Sequence, residues 1–222
     1  MMQIDWANTP GAYYAIAYWI GCWIVVLNGP RKLKWVQSAG VMTIFGLLLV
    51  TLMSVTHGAP PMLFVPFMIL FFLIMWCTIY LVCIYDCKTS LYFTARAFII
   101  GEFIASLEWE IFYYTLKLLH IEASYWINFL LIILVDGFLF LGMNYLEKKN
   151  HNVNKHLQIT WQELFSASII TLAIFTVSNL TFVFRESGVE NQYLTELFMI
   201  RTLVDLGGVA ILYAYHTQLV EL

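Results

Sequence analysis

The stretch "ARAFIIGEFIASLEWEIFYY", residues 95–114, decides the fold. It is long and apolar enough to be a helix crossing about 30 Å of hydrocarbon, which takes roughly 17 to 25 residues. Yet it carries Arg96, Glu102, Glu108 and Glu110. Charges inside such a run are tolerable only where protein, and not lipid, surrounds them. The segment therefore predicts a bundle of membrane helices with a polar interior.

The rest of the chain agrees. Of its 222 residues, 61% are hydrophobic, 17% aromatic and 11% charged, and the mean hydropathy is +0.79. These values lie far outside soluble averages. No long polar segment interrupts the chain, which leaves room for one helical bundle and none for a separate water-soluble catalytic domain. A formal charge of -3 and scattered Lys and Arg residues argue against nucleic-acid binding. The opening "MMQIDWANTP" has Asp5 and no Lys or Arg, so the first apolar run is expected to stay in the chain rather than be cleaved as a signal peptide. Cys22, Cys77, Cys83 and Cys87 lack the paired spacing of a zinc site and are expected to be small core residues.

Seven apolar runs have the required length: 12–27, 35–55, 62–85, 91–119, 125–146, 161–184 and 193–216. Helix is the form that satisfies backbone polar groups within each run, and none alternates as a barrel strand would. The expected fold is an all-α membrane protein, a seven-transmembrane helix bundle. Loop charge sets its orientation. Arg31, Lys32, Lys34, Lys88, Lys148, Lys149 and Lys155 fall on one side, against Lys117 and Arg185 on the other. The N-terminus is therefore expected outside and the C-terminus in the cytoplasm, with the charge-free "THGAPP" loop (56–61) outside. The 12–27 run is the shortest of the seven and also fits an interfacial helix. The expected localisation is the plasma membrane, multi-pass, with the lipid bilayer as partner.

Six ionisable residues fall well inside these runs: Arg96, Glu102, Glu108, Asp136, Arg201 and Asp205. Each costs on the order of 2.5 to 3.5 kcal/mol if left bare in hydrocarbon. At about 1.5 Å per residue, Glu102, Asp136 and Asp205 come out near the midplane. Glu108 comes out near the depth of Arg201, and Arg96 near Glu163. Arg201 and Asp205 are four apart and share a helical face. Three readings of this polar network stay open: packing contacts that fix helix neighbours, a bistable centre whose pairing changes on signalling, or a proton or ion path. Glu110, near the outer boundary, joins Trp109, Tyr113, Tyr114 and Trp126 either in an interfacial aromatic belt or in the mouth of a pocket for a peptide or small amphipathic ligand.

Several chemistries lack their residues. The last run contains no Lys for a retinal Schiff base. No His falls at HExxH spacing for a metalloprotease, and no GxSxG is present for a hydrolase. No metal or cofactor is expected.

Residues 217–222, "TQLVEL", turn polar while Leu219 and Leu222 keep helical spacing, as in a membrane helix continuing into a cytoplasmic signalling helix. The expected organisation is a transmembrane sensor domain over 1–216 and the start of that signalling helix over 217–222. The segment "LYFTARAFIIGEFIASLEWEIFYY" (91–114) resembles the membrane region of GHKL-type sensor histidine kinases of Gram-positive bacteria, the class that includes peptide-pheromone receptor kinases. The resemblance implies a bacterial two-component sensor whose last helix leads to a kinase output and forms a homodimer. The Asn box, the ATP lid and the kinase domain of that family are absent from these 222 residues, so no enzymatic activity is expected of them. The alternative expectation, from a different class, is a small secondary transporter using the midplane carboxylates Glu102, Asp136 and Asp205.

Overall fold

The computed structural model describes the backbone of residues 11–56, 63–119, 125–149, 157–184 and 191–221, and the side chains of 12–56, 63–112, 129–149, 157–179 and 200–219. Each apolar run folds as a helix. In chain order these are α1 (Gly11–Asn28), α2 (Trp35–Thr56), α3 (Phe64–Val82), α4 (Cys87–Leu119), α5 (Tyr125–Lys149), α6 (Trp161–Phe184) and α7 (Asn191–Glu221). Five of them contain segments long and apolar enough to cross a membrane: Trp35–Thr56, Phe64–Val82, Cys87–Phe112, Phe129–Lys149 and Trp161–Asn179. Ala12–Asn28 is apolar but shorter. α7 has the length, and Arg201 and Asp205 interrupt its apolar run. The chain is thus a membrane-embedded helical protein.

Polarity is distributed inside out. Leu47, Val55, Ile69, Ile133, Phe138 and Leu172 are exposed on the flanks of α2, α3, α5 and α6, whereas Arg96, Glu102, Asp136, Arg201 and Asp205 are buried. Where the surroundings are hydrocarbon, apolar side chains gain nothing by moving inward and charged ones gain partners.

The opening stretch of sequence lies in α4, and α4 is the centre of the bundle. It packs against α1, α3, α5, α6 and α7. Within its apolar segment 89% of the residues are buried, against 22% in each of the segments of α2 and α5. Small residues allow this. Ala97, Gly101 and Ala105 lie at four-residue intervals on α4 and meet Ala17 and Gly21 of α1. A methyl group on Gly21 would run into the Ala97 carbonyl oxygen, and one on Gly101 would sit 2.9 Å from the Tyr18 Cα. Around this contact Phe98 stacks on Tyr18 at 5.2 Å and touches Phe72 and Phe175, so α1, α3 and α6 converge on one ring of α4.

Alternating helix ends meet at one end of the bundle. The α1–α2 and α3–α4 loops pair as a short antiparallel clip: Lys32 N–H donates to the Val82 carbonyl and Ile84 N–H to the Pro30 carbonyl, both at 2.8 Å. Asn28 of α1 donates to Asn144 of α5, and the Ile159 N–H before α6 reaches Thr89 of α4. Arg31, Lys32, Lys34, Lys88, Lys148 and Lys149 all gather here.

One expectation changes. Cys22 and Cys83 are buried, but Cys77 and Cys87 are exposed and are not core residues. The first lies on the outer face of α3 and the second in the first turn of α4, where apolar neighbours in sequence do not imply burial. The last helix runs on without a break from residue 216 to Glu221. The "THGAPP" loop lies outside the described residues from His57 onward.

Candidate functional site

Four helices place polar groups around Arg201. Its position on α7, one helical turn before Asp205, puts both on the face that meets α4 and α6. Its Nη2 donates to Glu102 Oε2 of α4 at 2.8 Å, its Nε to Ser178 Oγ of α6 at 3.2 Å, and Nε lies 3.8 Å from Asp205 Oδ2. The second oxygen of Glu102 accepts from the Tyr18 hydroxyl of α1 at 2.5 Å. Tyr14, one turn earlier on α1, faces the same guanidinium. Glu102 and Asp205 are fully buried and Arg201 is 4% exposed, so no water screens these contacts. Tyr18 can reach because Gly101 leaves space for its ring and Phe98 holds it from behind. The charges form a compact centre in which Arg201 faces two carboxylates; Tyr18 and Arg201 satisfy Glu102, whereas the Asp205 oxygens have the guanidinium 3.8 Å away and no hydrogen-bond partner.

A second polar layer lies toward the lysine-rich end. Arg96 of α4 pairs with Glu147 of α5 through Nη2 and Oε1, and its guanidinium sits 5.6 Å over the Phe93 ring. One turn below, the Tyr92 hydroxyl and His216 Nδ1 of α7 are 3.2 Å apart, and the imidazole packs against both Tyr92 and Phe93. A small cavity lined by Arg96, Glu147 and Tyr213 opens between α4, α5 and α7, with room for about one water molecule. Arg96 Nη1 is buried without a protein acceptor beside it.

Asp136 differs from both layers. It is buried on α5, and neither of its oxygens has a hydrogen-bond partner. Across the α4–α5 contact its charge acts on Glu108, another carboxylate.

The pairings revise the depth argument. Arg201 meets Glu102 rather than Glu108, because a long Arg side chain bridges levels that a backbone count keeps apart. Arg96 forms its ion pair with Glu147 and not with Glu163. That residue caps its own helix: Glu163 Oε2 accepts from Thr160 N–H at 2.6 Å while Glu163 N–H donates to Thr160 Oγ1 at 3.4 Å, a capping box at the start of α6. The true partner, Glu147, opens the polar "EKKN" run, and its place on the inner face of α5 is legible only if the helix is extended past Leu146. His216, near the end of α7, is fully buried. Tyr18, the third ligand of the Arg201 centre, has a signal in the "AYWIG" spacing (17–21), small residues flanking an aromatic, which marks the close α1–α4 contact. Among the residues of the expected ligand mouth, Trp109 and Glu110 are half-buried on α4, while the side chains of Tyr113, Tyr114 and Trp126 lie outside the described residues.

Asp86 precedes α4 at the lysine-rich end and caps it, Oδ1 accepting from the Thr89 N–H at 3.1 Å. Partial burial opposes its ionisation, but the hydrogen bonds from Thr89 and the charge of Lys88 outweigh that and hold its carboxyl below the usual range. No family model, curated protein or solved structure matches this chain.

Proposed function

We propose that the chain is a membrane-embedded sensor or receptor module that passes an extracytoplasmic or membrane signal through α7 to a cytoplasmic histidine-kinase output. One observation carries the reading: α7 is tied to the central helix by polar contacts at two levels, Arg201 with Glu102 and His216 with Tyr92. Directional contacts of this kind have discrete alternatives, so a helix held by them moves between states instead of drifting. Arg201 exchanging Glu102 for Asp205 as its closest partner is such an alternative, since both carboxylates already face it. The resemblance of residues 91–114 to GHKL-type sensor kinases supports the same output and implies a homodimer through the continuation of α7. The lysine-rich end then faces the cytoplasm of a bacterial cell, with the N-terminus outside. A peptide or small amphipathic ligand would enter at the opposite end, near Trp109 and Glu110.

A second reading, a small secondary transporter, draws on Asp136, whose unpartnered oxygens beside Glu108 suit a group that takes up and releases a proton or cation.

The deciding experiment joins a kinase output in helical register after Leu222 and compares Glu102→Gln and Asp205→Asn with the wild type. A shifted basal output without ligand, at equal protein level and with intact folding, is the expected result, because a population bias needs no ligand. Wild-type basal output and ligand response in both variants would leave these charges as packing contacts. Proton-driven uptake by purified protein in liposomes, lost in Asp136→Asn, would favour the transporter.

A further inference from the structure

The paired loops at the lysine-rich end hold two cations in fixed places. Hydrogen bonds between the loops fix the backbone on both sides of Arg31 and Lys32. Each side chain then lies over an aromatic ring rising from an adjoining helix end: the Arg31 guanidinium 4.9 Å from the centre of the Trp35 ring, and Lys32 Nζ 4.6 Å from that of Tyr80. Trp35 is 51% exposed and Tyr80 40%, so both rings face the surroundings at the level where α2 begins and α3 ends. Cation–aromatic pairs at a helix end are suited to the boundary between hydrocarbon and headgroups.

No carboxylate among the described side chains neutralises this pair. Among the described residues, the acids at this end have other work: Glu147 holds Arg96, Glu163 caps α6, and Asp86 caps α4 with its charge next to Lys88. Lys32 Nζ gives one hydrogen to the Tyr80 carbonyl at 2.8 Å and keeps two. The planar fork of Arg31 has all its donors for an oxyanion outside the protein, and such a fork matches phosphate oxygens in a bidentate fashion.

We infer that the clip formed by Arg31 and Lys32, with Trp35 and Tyr80, is a seat for the phosphate headgroup of a net-anionic phospholipid. The two cations bind the phosphodiester oxygens, and the exposed ring faces pack on the glycerol and upper acyl carbons. A choline-bearing headgroup brings its own cation toward the same two positive groups and is disfavoured. The inference does not depend on whether the bundle is a sensor or a transporter.

The test uses the full chain in phosphatidylcholine nanodiscs containing phosphatidylglycerol at equal mole fraction, with the lipids retained on the protein measured by native mass spectrometry. Wild type should retain phosphatidylglycerol preferentially, and the preference should fall as salt is raised. Arg31→Gln combined with Lys32→Gln should lower it about 30-fold, at roughly the strength of one juxtamembrane cation for each residue removed. Lys148→Gln with Lys149→Gln should keep most of it. Equal retention of the two lipids by wild type, a salt-independent preference, or full preference in the Arg31/Lys32 variant would overturn the assignment. Displacement of the lipid by inorganic phosphate at matched ionic strength would show a free-anion site instead. Should the double variant not fold, Arg31→Lys with Lys32→Arg and the salt dependence of the wild type decide: loss of preference in the charge-keeping variant, or no salt effect, counts against the seat.

Discussion

Glu102 and Asp136 are both carboxylates buried between helices of the same bundle, yet their surroundings are opposite. Glu102 accepts from Arg201 and from Tyr18, and its two oxygens are both used. Asp136 has neither oxygen used and another carboxylate for its charged neighbour. The difference follows from which helix faces which. Glu102 lies on the side of α4 where α1, α6 and α7 converge and draws donors from α1 and α7, whereas Asp136 lies on α5, a helix mostly turned to the outside. A buried ionised group without a partner is costly, and a neutral one loses far less. An ionised Glu102 is therefore compensated where it stands, and an ionised Asp136 would not be.

Three substitutions separate these environments. The largest effect belongs to Arg201→Ala, which strands Glu102 and Asp205 together. A loss of about 3–5 kcal/mol is expected, typical of breaking one side of a buried ion pair, read from unfolding in mixed detergent. Adding Glu102→Gln should recover part of it, because one stranded charge is then gone; strictly additive losses would show that the two are not partners. The sign should reverse at Asp136. Asp136→Val removes two unsatisfied oxygens and should raise stability by about 1–2 kcal/mol, whereas a loss on the scale of Arg201→Ala would reveal a partner for Asp136 and erase the contrast.

Asp86, a carboxylate in water's reach, calibrates both. Asp86→Ala should cost about 0.5–1 kcal/mol at neutral pH, as for loss of an N-cap. Its carboxyl is held below its usual range in the folded protein. The contribution is therefore present above the unfolded pKa, about 3.9, and is lost as pH falls through the lower folded value. Below about pH 4 the variant and wild type should converge, and a difference that persists in acid would place the cap's worth in something other than the charge.

The helices were legible because apolar runs and their breaks are local. The start of α2 at Trp35, of α5 at Tyr125 and both bounds of α6, Trp161–Phe184, follow from them directly. Which helix stands in the middle is not local, and a charge count on α4 alone says only that it must be shielded. The signal that it is central lies in its small and hydroxyl residues: Thr89, Ser90, Thr94, Ala97, Gly101 and Ala105 suit a helix enclosed by others, not one facing lipid. Pairing of Arg201 with Asp205 follows from helical spacing. Pairing of Arg96 with Glu147 does not, since it depends on how far α5 continues past its apolar run. The burial of His216 is hidden for the same reason: α7 remains packed against α4 at the point where its sequence turns polar.

The contact of Gly21 with the Ala97 carbonyl acts as a fulcrum. Backbone touches backbone there, so α1 and α4 cannot close further or slide past one another without separating, but α4 can rock about the point. Arg96 is next to the fulcrum and would barely move in such a rocking. Glu102 stands about 7.5 Å along the arm and Glu108 about 16 Å, so a tilt that shifts Glu102 by a given amount shifts Glu108 by about twice as much. In the proposed sensor, a disturbance near Trp109 and Glu110 would arrive at the Arg201 centre geared down, as a smaller displacement delivered with greater force, with the Arg96–Glu147 layer as the bearing.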